Sequence, residues 1–586
     1  MKQAIYLFFL SIMCLSFSAC KKYEVGYEGK AMFSSYTLET SSNPDLAKQV
    51  KGVIEGNSVY IRVPNSVNLK QAIASFTVAD QSIVYIGNNV QQSGITPVDL
   101  SDTVEYRVAT PTDMSMANVY ALRNAAIVSF GFYAEDNEDL LFKNYIGTFN
   151  GLKIQVNLPV DADVSKLVAR FVTTDGAVVK VGGVIQTSSQ SINNFTTDVT
   201  YQVTDIETTV PEEFVVSVGR LTAPEWIDIL SDNIAAYTVG EISLAINPVS
   251  NNPVIIFSRT AADGDGTRKA VVASYNGSSW GTIGDSQGIS FGRVDAVGIA
   301  IDDSGVLYAS YKDYNTLGDS VQYASVQKYS NDKWSFLIRP QSTAQRVNYL
   351  HIATTQSGMP VIGYAAARAE GGVANRSTQS ALFINNSWSL RSIDASPATL
   401  YTRIRKGRDN KLYYAVMDGI STTRKPTIYR LNETSLNWEV VGTAMVSPDA
   451  SVVGAAVMDV DASESGEVYL VFQSQATTNK MSYVMRYNGT SWRQIGDAIS
   501  HTATSNSQRD NIALALHPNG TLYFAHGDAN GLKVQTFNND TQNWNPATTL
   551  QTGVPDKITM RISEEGIPYI ATVTDAKIKV FKYDIP

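Results

Sequence analysis

The chain is 586 residues long, 44% hydrophobic and 17% charged, with a formal net charge of −9. That length exceeds what one hydrophobic core supports and predicts several domains, while 30 Tyr, 20 Phe and few amphipathic helical patterns favour strands. A negative balance with no run of Lys or Arg excludes nucleic acid as a partner, because nothing along the chain would neutralise a phosphate backbone.

From the N-terminus, Lys2, the apolar stretch Ala4 to Leu15 and the small-residue site Phe17-Ser18-Ala19-Cys20 read as a secretion signal over residues 1–19. The stretch falls short of the about 20 residues a membrane span needs. The Cys20 site resembles a bacterial lipobox, with Phe17 where that family carries Leu, Val or Ile. The resemblance implies lipidation of Cys20, a tether over 20–25, and an outer-membrane lipoprotein facing the cell surface or the periplasm. With Cys14 removed in the signal, no thiol chemistry and no disulfide are expected.

Next comes an internal repeat. Residues 60–108 match residues 155–203 without gaps at a constant offset of 95, which pairs Pro64 with Pro159, Phe76 with Phe171, Gly87 with Gly182, Gln91 with Gln186 and Tyr106 with Tyr201. Short alternating runs such as Val59 to Val63, separated by Asn, Gly and Ser clusters, predict a small β-sandwich in each copy. The segments resemble tandem Ig-like domains of glycan-utilising Gram-negative bacteria, giving an Ig-like domain 1 over 26–122 and an Ig-like domain 2 over 123–220, structural spacers in that resemblance.

All 7 Trp follow, at 226, 280, 334, 388, 438, 492 and 544, spaced 54, 54, 54, 50, 54 and 52 residues apart. A second series keeps the beat: Asn252, Gly305, Gly358, Asn410, Gly466, Gly520 and Gly566 each separate two apolar runs, and each is a residue that tolerates the left-handed backbone of a tight hairpin. Four short strands per period predict a seven-bladed β-propeller over 221–586. The chain ends without an eighth Trp, so the strand around Trp226 is expected to complete the last blade and close the ring. The overall class is therefore all-β. The repeat lacks the Trp-Asp pair of WD40 blades, the double glycine of kelch blades and the Asp-box of sialidases.

If the Gly/Asn turns and the turns before each Trp occupy one rim, the longer connections occupy the other: Ala261 to Lys269, Lys312 to Ser320, Ala366 to Thr378 and Asp418 to Pro426. The segments entering the first strands bring Arg293, Asp295, Arg346, Asn348, Arg509 and Asp510 to that rim. These are the candidate ligand-binding residues: guanidinium pairs with carboxylate in a bidentate fork and nearby Tyr supplies flat apolar faces, a composition suited to a sugar or an acidic saccharide. The structural alternative is a set of salt bridges between blades.

Catalytic and metal signals are thin. His351, His501, His517 and His526 share no metal-ligand spacing; His517, beside a turn, reads as surface. His526, two residues before Asp528, is the histidine that would join Asp295 if the protein were an enzyme. Asp263-Gly264-Asp265-Gly266 opens like a calcium loop, but Ser274 stands where the closing Glu belongs. The carboxylate pairs Asp302-Asp303 and Glu564-Glu565 read as solvation of their turns. Neither a metal nor a cofactor is expected.

The order of parts resembles the surface glycan-binding lipoproteins of Gram-negative glycan-utilisation systems. That resemblance implies a cell-envelope lipoprotein, held to the membrane by its lipid, whose propeller binds a carbohydrate or protein ligand at its top face, so the partner is a glycan or an envelope protein. A propeller-type polysaccharide lyase or glycoside hydrolase and a structural or adhesive envelope protein stand as alternatives, since propellers host all three.

Overall fold

The computed structural model describes residues 30–46, 48–64, 67–123, 125–138, 140–174, 176–204, 211–230, 234, 237–260, 268–314, 322–338, 345–393, 399–419, 422–475, 480–501 and 511–584. The chain is all-β and divides into two units, one of residues up to 136, 145–157 and 163–219, the other of 137–144, 158–162 and 220–586. Cys20 and the signal-like segment lie outside the described residues, as do Arg509, Asp510 and the Asp263 to Gly266 loop.

The first unit carries the 95-residue repeat as two equivalent sets of strands. Each copy has a six-stranded sheet of the same order, in which Ser58–Val63 of the first copy corresponds to Lys153–Leu158 of the second, and Val104–Ala109 to Val199–Thr204. A smaller sheet led by Phe33–Leu38 or by Ile127–Phe132 accompanies it, and both of these strands bury the first and the last three of their six residues. In the first copy the two sheets share one core, where Phe33, Tyr36 and Leu38 meet Val59, Ile61 and Tyr106. Edge-to-face rings repeat at matching positions, Tyr36 on Tyr106 and Phe130 on Tyr201. The copies also share an arginine clamp: Arg123 Nη1 donates to the carbonyls of Pro64 and Val67 at 2.7 and 2.9 Å, and Arg220 Nη1 to those of Pro159 and Ala162 at 2.9 and 2.8 Å.

Among the described residues, the second unit builds seven antiparallel sheets whose main path is four strands. Their first strands are Thr238–Ile246, Val294–Ile301, Val347–Thr354, Tyr401–Lys406, Gly454–Ala462, Ile512–Leu516 and Pro555–Ile562. These strands neighbour one another in chain order, and the seventh also neighbours the first, a propeller-like arrangement. The fourth strand of the seventh sheet is Glu225–Asp228, paired antiparallel with Lys577–Asp584 so that Trp226 faces Tyr583. Six of the seven expected turn residues have positive φ, from Asn410 at 61° to Gly305 at 86°. The exception is in the first sheet, where Asn251 (φ 54°), not Asn252, takes the left-handed position.

The tryptophan period has a mechanical cause. The indole Nε1 of Trp280, Trp334, Trp388 and Trp492 donates to the carbonyls of Ile229, Ile283, Leu337 and Val441, each three residues after the preceding Trp. Each Trp thus ties its outer strand to the sheet before it. Where the spacing drops to 50, Trp438 instead finds Ser380 Oγ at 2.8 Å. The position after two of these carbonyls, Gly284 and Gly442, is a glycine packed against the incoming indole. At Gly284 (φ 88°) an added Cβ would lie 2.6 Å from Trp334 Cδ1. Gly284→Ala is therefore expected to destabilise the unit by about 1–3 kcal/mol, through left-handed strain and overpacking, seen as a lowered denaturant midpoint.

Candidate functional site

Two cavities lie at opposite ends of the first strands, and they differ. At the end carrying the Gly/Asn turns, a cavity of about 200 Å³ is lined by Arg405, Lys406, Arg408, Arg561, Asp303 and Glu564 together with the apolar strand ends. Ion pairs cross it from sheet to sheet: Lys406 Nζ to Asp303 at 2.6 Å and Arg408 Nη2 to Glu564 at 2.7 Å. The second member of one turn pair and the first of the other therefore bridge sheets, which goes beyond the expected solvation, while Asp302 Oδ1 caps its own turn by accepting from Ser304 and Val306 N–H.

At the opposite end the cavity opens to about 470 Å³, within the roughly 300–1,000 Å³ range of small-molecule sites. Glu241, Arg268, Asp295, Lys312, Asn348, Tyr349, His351, Tyr401, Arg403 and Lys557 line it. The N-terminal halves of the first strands supply most of this wall, and five of the seven carry a register shift there: between Val239 and Ile242, Asp295 and Gly298, Asn348 and His351, Gly454 and Met458, and Pro555 and Lys557. Such bulges re-aim side chains at sheet ends. In two of them a non-glycine residue sits left-handed, Ala296 at φ 49° and Tyr349 at φ 53°.

The wall is an ionic belt over an aromatic patch. Asp295 lies between Arg268 at 3.9 Å and Arg293 at 3.7 Å, and Lys557 meets Glu241 at 3.2 Å. Lys312 Nζ donates to Asn348 Oδ1 at 3.2 Å and lies 5.3 Å from the Tyr314 ring, which Arg293 also covers at 4.9 Å. Burial holds the Lys312 ammonium below the ordinary lysine range, and pushes the Tyr314 hydroxyl, which also faces Asp295, up to about 12. Tyr349 packs at 5.4 Å on Tyr401, whose other neighbour is His351 at 6.1 Å. His351 is half-buried and kept neutral, its pKa pushed well down first by desolvation of the ring and then by Arg403.

A buried ion pair stands beside the two cavities, whose linings include Arg405 at one end and Arg403 at the other. Arg405, 4% exposed, donates through Nη1 to Asp459 Oδ2 at 2.7 Å and to the Leu514 carbonyl at 2.5 Å, and through Nη2 to the Met560 carbonyl at 2.9 Å. Asp459 also accepts from Leu514 N–H at 3.0 Å and faces Arg403 at 3.6 Å. One buried pair thus joins the fourth, fifth, sixth and seventh sheets.

Of the residues expected from sequence, Asp295 and Asn348 line the wide mouth and Arg293 flanks it. Arg346 is turned to Glu370, which accepts from its backbone N–H and lies 3.9 Å from its guanidinium, and it does not line the cavity. Arg509 and Asp510 lie outside the described residues. His526 is in the sixth sheet, 2% exposed, with its ring 4.8 Å from His501 and 5.2 Å from Phe524, away from Asp295. His517 is half-buried rather than on the surface, its ring over Gly566. Lys312, Tyr349, His351, Tyr401, Arg403 and Lys557 line the mouth without having been singled out. Part of the signal was in the repeat phase: His351, Arg403 and Asp459 each stand seven residues before their turn residue, and Arg405, Asp461 and Arg561 each five before theirs.

No helix among the described residues is long and apolar enough to cross a membrane, and none of their His, Cys, Asp and Glu side chains form a group of three placed to hold a metal. Residues 142–218, the greater part of the second repeat copy, match the family described as "SGBP, N-terminal". No curated protein matches the chain. Solved structures align over the sheets at low identity. A protein of unknown function from Dyadobacter fermentans DSM 18053 is 12% identical, covering 62% of this chain and 98% of its own at a TM-score of 0.38. Hydrazine synthase of Kuenenia stuttgartiensis is 11% identical over 61% and 98% (TM-score 0.40), and the polysaccharide lyase Uly1 is 12% identical over 60% and 91% (TM-score 0.39).

Proposed function

We propose that this chain is a surface glycan-binding protein, exported and lipidated at Cys20, in which two Ig-like domains (26–122 and 123–220) carry a closed seven-bladed propeller (221–586) that binds carbohydrate at its wide mouth. The observation that carries the reading is the match of residues 142–218 to the SGBP N-terminal family, set on a chain whose second unit offers an open cavity lined by Tyr349, Tyr401, Asn348 and charged groups. Tyr rings present flat apolar faces to a pyranose, while Asn and ionic side chains satisfy its hydroxyls. The buried Arg405–Asp459 pair, bonded to the sixth and seventh sheets, supports a pocket suited to holding a ligand rather than passing one.

The test is a glycan array probed with the purified protein and with Asn348→Ala, using Lys406→Ala in the opposite cavity as control. Expected are discrete glycan hits, an affinity drop of about tenfold in Asn348→Ala from the loss of one ligand hydrogen bond, and no change in Lys406→Ala. A blank array for the wild-type protein overturns the proposal in favour of a protein-binding or structural envelope role.

A further inference from the structure

We infer that the wide mouth selects a negatively charged glycan, one bearing carboxylate or sulfate groups, and that Lys312 with Arg268 does the selecting; this rests on the glycan reading above. Among the charged side chains lining the cavity, the cations Arg268, Lys312, Arg403 and Lys557 outnumber the carboxylates Glu241 and Asp295, and Arg293 adds a further cation at the edge. His351 is neutral and offsets none of this. Lys557 is matched by Glu241 and Arg403 by Asp459, so the surplus that a neutral sugar would leave rests on Lys312, Arg268 and Arg293 around the one carboxylate of Asp295.

Asp295 is also a poor partner for what it faces. Asp295 is shared between two guanidiniums at 3.7 and 3.9 Å, neither approached as closely as in a bidentate pair, whose N–O contacts run to about 2.7–2.9 Å. Arg268 is 44% exposed along its side chain and can turn its fork to an incoming anion. Lys312 is held by the neutral oxygen of Asn348 and by the Tyr314 ring, with no carboxylate within salt-bridge distance among the described residues. A cation that has lost much of its water gains more from an arriving anion than an exposed one does.

The backbone supports the same site. Ala296 and Tyr349 hold left-handed φ values at the bulges that directly follow Asp295 and Asn348, a conformation that costs roughly 1–2 kcal/mol for a residue with a Cβ. Strain of this kind persists where surrounding structure fixes a side-chain arrangement, here the one that sets Asn348 against Lys312.

Titration calorimetry on the purified protein tests this with three oligosaccharide sets of matched length: uronate-bearing, sulfated and unmodified neutral. Expected is at least about tenfold tighter binding of an acidic set than of the neutral set at low salt, the margin shrinking at about 0.5 M salt as the charges are screened. Lys312→Met should remove most of that margin, read as the acidic-to-neutral affinity ratio within the variant, and Asn348→Asp, which sets a carboxylate against Lys312, should narrow the same ratio if the methionine variant fails to fold. The uronate and sulfate arms tell which anion fits. Equal affinity for neutral and acidic sets, or a preference that survives both substitutions, overturns the charge selection and leaves the glycan reading standing. Binding of no sugar overturns both.

Discussion

Asp459→Ala is expected to destabilise the C-terminal sheets by about 3–5 kcal/mol, because it leaves a buried cation without its partner. Asp459 is 2% exposed and Arg405 4%. Burial pushes the Asp459 carboxyl up, but Arg405, Arg403 and Arg561 outweigh it and the group is held below the ordinary carboxylate range. Its removal leaves Asp461, 3.7 Å from Arg405, facing three arginines in one small volume. Arg561 is already under such pressure: burial first, then the Arg405 charge, lower its pKa to about 9. The Leu514 amide would also lose its acceptor. Since all 7 Trp lie at or after position 226, intrinsic fluorescence during denaturation reports on the sheets and not on the N-terminal repeats. A double change, Arg405→Met with Asp459→Leu, should recover much of the loss, since an apolar pair of similar volume carries no desolvation penalty. A single-mutant loss below about 1 kcal/mol would show that the Arg405–Asp459 pair is not a buried network.

Acid is expected to unfold the same unit well before the carboxylates as a class are protonated. His501 and His526 pack edge to face at 4.8 Å, and burial, joined for His526 by the charge of His501, lowers their pKa values to about 4 and about 3. His351 is lowered as well. Each of these groups binds a proton more readily in the unfolded chain, where the pKa is near 6.5, so stability is full above about pH 6.5 and is lost as pH falls toward 4 and below. Asp313 works in the opposite sense: burial raises its pKa to about 6, so its protonated form favours the fold as pH drops through that value. Three histidines against one aspartate leave a net loss on acidification. The fluorescence midpoint should therefore fall steadily from pH 7 to pH 4, and His526→Phe, if it packs on Phe524 as the imidazole does, should flatten the slope. An unchanged slope in that variant would place the acid sensitivity elsewhere.

Much of the second unit was legible because its geometry repeats. Four of the Trp reach the carbonyl three residues after their predecessor and each hairpin needs a left-handed residue, so both constraints recur at one interval and show as a period. The deviations were legible as numbers but not as causes: the spacing of 50 before Trp438 marks where the indole changes partner to Ser380, which only the packing reveals. The mouth was half legible. Asp295 and Asn348 stand where a strand-entry reading puts them, but the bulges that follow break the two-residue alternation, so His351 could not be assigned to the cavity by counting from Asn348. Arg346 misled because its place in the repeat matches that of Arg293 while its partner, Glu370, comes from a connection peculiar to the third sheet. Tyr401 and Arg403 were overlooked because alternation says that one face of Tyr401–Lys406 is special without saying that it is the face turned to the cavity.

The pairing of Glu225–Asp228 with the last strand also bears on how the protein comes into being. Lys579 reaches Asp228 across 351 positions of sequence, so the strand that emerges early must wait for nearly the last part of the chain to be made. At roughly 5–20 residues per second that is a delay on the order of tens of seconds, during which Trp226 and its strand edge stand open to wrong partners. A nascent chain stalled anywhere before residue 577 lacks Lys577–Asp584, the strand on which Glu225–Asp228 pairs, and completion of the seventh sheet is decided by whether these two segments find each other.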